Sequence, residues 1–187
     1  MGCGKRGGDV RGAQIGSILM DRPNLSPHRT FVTGIGASAI AVALIAGFEG
    51  YSGKAYDDGV GVQTVGFGTT RMADGTPVKP GDTITPQRAV VMLATEADHI
   101  AKELAACIGD VPLYKHEWDA FVSWAYNVGA AAACKSTLVK KLKATPPDYE
   151  GACRELLKWT RAGGRELPGL VKRRQAEYRL CIGEDAP

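Results

Sequence analysis

The chain of 187 residues has only three histidines, His28, His99 and His116, and they are too scattered to suggest a metal site or a catalytic triad. No pair of its five cysteines has zinc-ligand spacing. Gly66-Phe67-Gly68 lacks the strand-to-helix context and the Lys-Ser/Thr pair that a phosphate loop requires. A basic excess on the main body of the chain is also missing. The net charge is +3, and residues 1–29 hold five basic and two acidic side chains; 23 less five and 20 less two leaves 18 of each sign beyond them. A nucleic-acid binder carries its excess on the folded domain, so that class is disfavoured. With 44% hydrophobic residues the chain can bury one full core, as one body or two lobes, and needs no cofactor to fold.

What stands out instead is a spacing. Glu49 is followed after eight residues by Asp58, and Asp58 after five by Thr64, within the stretch from Phe48 to Gly68. A helix end and a hairpin would bring these side chains together. Two carboxylates and a hydroxyl are the equipment for glycoside hydrolysis: one carboxylic acid protonates the departing sugar oxygen, and the other carboxylate, helped by the hydroxyl, holds and deprotonates the attacking water. A carboxylate at a helix C-terminus beside Phe48 faces the negative end of the helix dipole and an apolar neighbour, surroundings that suit a general acid. Asp58 alone would read as half of a common Asp-Gly turn, and Asp57 beside it is equally acidic.

The stretch resembles the phage lysozymes (endolysins) of the T-even and lambdoid type, which are muramidases with this same Glu, eight, Asp, five, Thr spacing. The resemblance runs from about Ala39 to Cys181 and is supported by Trp-Ala-Tyr-Asn-Val-Gly (124–129), Lys-Ser-Thr-Leu (135–138) and the run Arg-Ala-Gly-Gly-Arg-Glu-Leu-Pro-Gly-Leu-Val-Lys-Arg-Arg (161–174). It implies an α+β, lysozyme-like fold, in which a small antiparallel sheet lobe and a larger helical lobe are joined by a long helix. It also implies cleavage of the β-1,4 bond between N-acetylmuramic acid and N-acetylglucosamine in peptidoglycan glycan strands. Glu49 would be the acid, with Asp58, chosen over Asp57 by the family spacing, and Thr64 activating water. Asn127, Ser136 and Thr137 become candidate substrate contacts, and one of Lys172, Arg173 and Arg174 a basic partner for Glu49 or Asp58. By resemblance to the T-even enzymes the outcome is inversion, which needs the carboxylates roughly 6.5–9.5 Å apart. No metal or cofactor is implied. Thr69 departs from the T-even pattern, which has histidine there. The reading that competes with this enzyme is a membrane-anchored protein that binds peptidoglycan without cutting it.

Residues 30–48 form a run of 19 without a charge, close to the roughly 20 that span a bilayer as a helix. Basic residues precede it, which predicts an N-terminus in the cytoplasm. The run is rich in Gly, Ala, Ser and Thr, so its hold on a membrane is weak. Three readings compete. The arrangement resembles the signal-arrest-release endolysins, which implies a releasable anchor over 30–48 in the bacterial inner membrane, a basic, disordered cytoplasmic tail over 1–29, and a catalytic domain over 49–187 delivered to the periplasm. A cleaved signal peptide is the second reading, since Ala37-Ser38-Ala39 and Ala41-Val42-Ala43 satisfy the small-x-small rule. The third is a buried helix, against which stands the lack of any charged outer face.

In the anchored reading Cys3 stays in the reducing cytoplasm and Cys107, Cys134, Cys153 and Cys181 face the oxidising side, where an even number fits two disulfides. Neighbouring helical segments favour Cys107 with Cys134 and Cys153 with Cys181. Three connectivities are open, as are four buried thiols. Along the rest of the chain, the apolar helix is expected to run to Phe48 or Glu49, and Thr85-Pro86 to start a long helix reaching Cys107. Shorter helices are expected at about 114–128, 136–144, 148–162 and 168–181. Trp118, Phe121, Trp124 and Tyr126 lie at helical spacing, mostly as core, with one available to line a sugar cleft.

Overall fold

The structure, a computed structural model, describes residues 1–2, 28–32, 34–59 and 61–186. Residues 3–27 of the basic tail, Cys3 among them, lie outside the described residues.

The first elements correct the expectation of one helix over 30–48. Thr30–Phe31 is a short strand (β1), and helix α1 covers only Ala39–Glu49. Local chemistry explains the break. Gly34 has φ +83°, a left-handed conformation no helix continues through, and Ser38 caps α1 by accepting from the amides of Ile40 and Ala41 at 3.1 and 3.3 Å. Among the described residues no helix is long and apolar enough to cross a membrane.

A hairpin of β2 (Ser52–Asp57) and β3 (Gln63–Gly66) follows, with Tyr56 opposite Thr64. Its small core contains Val65, Val78, Ile84 and Ala89. Helix α2 (Pro86–Ile108) then joins the two lobes. Thr85 caps it, accepting from the Arg88 amide at 3.3 Å, and Pro86 occupies its first turn where a missing amide hydrogen costs nothing. At its start Ala89 lies under the hairpin; in its middle Leu93 and Ala97 pack with Ile45 of α1; at its end Ala101, Leu104 and Ile108 enter the main core. Since a 23-residue helix is about 35 Å long, one element can serve both lobes.

The large lobe begins with β4 (Pro112–Leu113), which pairs antiparallel with β1. Helices α3 (Lys115–Val128), α4 (Ala130–Lys135), α5 (Thr137–Leu142) and α6 (Tyr149–Leu156) follow. The segment 148–162, expected as one helix, stops at Leu156. Strands β5 (Arg161–Ala162) and β6 (Arg165–Glu166) form a hairpin whose two-residue turn is Gly163-Gly164, at φ +56° and +77°, the geometry that two-residue hairpin turns favour. Helix α7 (Pro168–Cys181) closes the lobe against α3. Trp118, Phe121 and Trp124 are core, as expected from their spacing.

The segment before α1 is fastened to this lobe. Arg29 donates through Nε and Nη2 to the two oxygens of Glu117 at 3.1 and 2.7 Å, and its guanidinium lies over the rings of Tyr114 and Tyr149 at 4.2 and 3.7 Å. Val32 is buried, and the Trp118 indole donates to the Gly36 carbonyl at 3.1 Å.

Both expected disulfides are present. Cys107 joins Cys134 with Cα atoms 5.6 Å apart, tying the end of α2 to α4, and Cys153 joins Cys181 at 5.8 Å, tying α6 to α7. Peptide mapping of periplasmically expressed protein without reductant should recover these two pairs with Cys3 free. Each bridge should contribute about 2–4 kcal/mol, measured as the loss of unfolding free energy on its removal. Free thiols at all four positions in active protein would contradict the pairing.

Candidate active site

Glu49 is the last residue of α1, and Asp58 and Thr64 lie in the hairpin that follows. The Glu49 carboxyl is one-quarter exposed and its Oε1 accepts from Nη1 of Arg173 at 2.7 Å. Its other oxygen is directed at Gly68, where an added Cβ would lie 3.8 Å from Oε2. Gly68 has φ +90° and belongs to a tight turn in which Val65 and Thr69 exchange two backbone hydrogen bonds of 2.9 Å. Gly66-Phe67-Gly68 is therefore a reversal that keeps side-chain bulk away from Glu49.

The adjacent aspartates differ in employment. Asp57 Oδ1 accepts from the amides of Gly59 and Gly61 at 2.8 and 3.1 Å, so this carboxylate builds the turn. Asp58 donates its amide hydrogen to the Val62 carbonyl at 3.1 Å and accepts from the Val62 amide through Oδ1 at 3.2 Å; the residue is exposed. Thr64 is buried, its hydroxyl 3.4 Å from the Val62 carbonyl it donates to.

A cavity of about 770 Å³ reaches Gly68, the residue that Glu49 Oε2 approaches; Glu49, Asp58 and Thr64 are not among the residues that line it. Its walls are the loop from Gly68 to Ala73, the face of α2 carrying Val91, Met92, Thr95, Glu96, His99 and Ile100, and Tyr126 of α3. That volume suits several sugar-sized groups rather than a single ion. Tyr126 is the one of the four spaced aromatics that lines it. Burial, reinforced by the negative charges of Glu49 and Glu96, pushes its phenol up to about 12, so it presents a hydroxyl throughout the neutral range. Thr69, where the T-even pattern has histidine, also lines the cavity. Thr95, Glu96 and His99 were not singled out in the sequence. The available signal was polar residues at helical spacing on a face otherwise carrying Val91, Met92 and Ile100.

The basic run of α7 divides between solvent and interior. Lys172 is exposed, whereas Arg173 and Arg174 are buried. Arg173 supplies the partner for Glu49, and also donates through Nη2 to the Ser123 carbonyl at 3.2 Å and through Nε to Glu177 Oε1 at 3.1 Å. Arg174 Nη2 donates to Asn127 Oδ1 at 2.6 Å. Burial lowers the Arg174 guanidinium to about 10 and pushes the Glu177 carboxyl up, with both guanidiniums opposing the latter.

The three candidate substrate contacts fare differently. Asn127 is exposed but has its side-chain oxygen engaged by Arg174. Ser136 is buried and caps α5, accepting from the Val139 amide at 3.2 Å, while Thr137 is exposed in the first turn of that helix. Among the described residues no group of three or more His, Cys, Asp or Glu side chains is placed to hold a metal.

The phage lysozyme family model matches residues 46–177. A SAR-endolysin of Bacteriophage PS119 is 37% identical over 154 residues, covering 79% of this chain and 87% of that protein. An endolysin of Acyrthosiphon pisum secondary endosymbiont phage 1 is 39% identical over 143 residues, covering 74% and 92%. Among solved structures, the endolysin from Escherichia coli O157:H7 phage FAHEc1 superposes with a TM-score of 0.71 at 32% identity, covering 80% of this chain and 95% of that one.

Proposed function

The chain belongs to the phage lysozyme family, and on that premise we propose that Glu49, Asp58 and Thr64 are its catalytic set. The protein is a peptidoglycan-hydrolysing endolysin, a muramidase that cuts the β-1,4 bond between N-acetylmuramic acid and N-acetylglucosamine. In the proposed mechanism Glu49 delivers a proton to the leaving glycosidic oxygen from Oε2, because Arg173 occupies Oε1. Asp58 takes a proton from a water held with the Thr64 hydroxyl, and that water attacks the anomeric carbon from the opposite face, inverting it. The supporting observation is Glu49 itself, with one oxygen fixed by a buried arginine and the other facing Gly68 on the wall of a sugar-sized cavity.

The purified protein should clear a suspension of cell walls and release fragments with new N-acetylmuramic acid reducing ends, identified by mass spectrometry. Binding to walls without new reducing ends would favour the non-catalytic reading.

For location, we propose that residues 30–48 anchor the newly made chain in the inner membrane, with 1–29 in the cytoplasm, and that the anchor then withdraws and delivers 49–187 to the periplasm. The similarity to SAR-endolysins and the charge-free run preceded by Arg29 support this. In this reading the described fold is the released form, in which residues from the former span supply β1, the buried Val32 and α1.

A further inference from the structure

The catalytic set leaves a buried charged cluster unexplained. Arg173, Arg174 and Glu177 are each less than 5% exposed, and within hydrogen-bond reach of them are Ser123, Asn127 and Glu49. The charges balance only when Glu49 is counted: two guanidiniums face Glu177 and Glu49. A general acid must take up a proton in each cycle, and every uncompensated positive charge beside it opposes that. Arg173 orients the Glu49 carboxyl through a 2.7 Å hydrogen bond and places a positive charge beside it.

We propose that Glu177 is a positioning residue for the acid, holding Arg173 through Nε and offsetting its charge, so that Glu49 is oriented without being locked as a carboxylate. The geometry suits this division. Glu177 Oε1 receives both the Arg173 Nε hydrogen, at 3.1 Å, and the Ser123 hydroxyl, at 2.8 Å, which leaves Nη1 of the same guanidinium directed at Glu49. Arg174, 3.1 Å from Glu177 Oε2, extends the cluster to Asn127 in the Trp-Ala-Tyr-Asn-Val-Gly stretch. The titratable groups that also face this site are Tyr126 on α3, which feels the charge of Glu49, and Glu96 on α2 beside Tyr126; Glu177→Gln alters neither.

The inference rests on Glu49 being the acid, and the test separates the two. Full-length released protein is assayed on purified walls across pH. In Glu177→Gln the alkaline limb, where the acid loses its proton, should move about one pH unit lower, and turnover near pH 7 should fall about tenfold with KM unchanged. Glu177→Asp, which keeps the charge, should return the limb towards wild type. If Glu177→Gln does not fold, the double variant R174M/E177Q decides, because it removes a buried pair of opposite charges together, a change cores often tolerate. It should lower turnover while leaving the limb in place, because the net charge beside Glu49 is kept while Arg173 Nε loses its charged acceptor. An unmoved limb and unchanged turnover in either folded variant overturn the role of Glu177. Wild-type activity in Glu49→Gln overturns the assignment of the acid instead.

Discussion

Glu49→Gln should lower turnover on purified cell walls by at least about 10²- to 10⁴-fold, the usual contribution of general acid–base catalysis. Glutamine keeps the shape and can still accept from Arg173 Nη1 through its carbonyl oxygen, so the fold should survive while the transferable proton is lost. Asp58→Asn should have a comparable effect, since an amide cannot deprotonate water. Asp57→Asn is the informative control. Its carbonyl oxygen can still accept from the Gly59 and Gly61 amides, so the turn persists and most activity should remain. If purified Glu49→Gln clears walls at the wild-type rate, or if Asp57→Asn is as damaged as Asp58→Asn, the assignment fails.

Leucine at positions 34, 36 and 38 should hold the protein in the membrane fraction after an uncoupler is added and delay lysis, whereas the wild-type protein, on the proposed anchor, should move to the soluble periplasm at full length. Two effects act in the same direction. Each CH₂ added to the span deepens the anchor by about 0.8 kcal/mol. The released form meanwhile loses what these residues provide. Gly34 sits at φ +83°, where a residue with a Cβ is strained by about 1–3 kcal/mol. A Cβ on Gly36 would overlap Oδ1 of Asp98, displacing a carboxylate that pairs with Lys102 at 2.7 Å. Ser38 caps α1, and losing that cap costs about 1 kcal/mol. Lysis unaffected by the three leucines, or a shortened periplasmic product starting near Leu44, would point to a cleaved signal peptide.

Much of the fold was legible because its signals are local. Thr85 and Pro86 mark the start of α2, Gly109 follows its end at φ +74°, and the apolar spacing between them matches the face buried along both lobes. The disulfide pairing that was favoured among three is the one present, although Cys107 and Cys134 lie on α2 and α4 with α3 between them. Less legible were elements whose state depends on what they meet. Residues 148–162 have helical spacing up to Leu156, but the chain then leaves the helix and Gly163-Gly164 turns a hairpin. The alanine run of α4 carried no periodic pattern to separate it from its neighbours.

By itself the sequence determined the spacing of the proposed catalytic set Glu49, Asp58 and Thr64, which puts all three on one helix end and the hairpin that follows it. It also determined the family and the charge-free character of 30–48. Only the tertiary structure decided that Thr30–Phe31 is a strand and that α1 starts at Ala39, since β4 offers a partner edge and Glu117, Tyr114 and Tyr149 receive Arg29. It alone chose Arg173 from three adjacent basic residues as the partner of Glu49, 124 positions away, and placed Glu177 behind it. Hydrogen bonds and charge pairs of that range depend on how α1, α3 and α7 pack, and no local pattern in the chain records that packing.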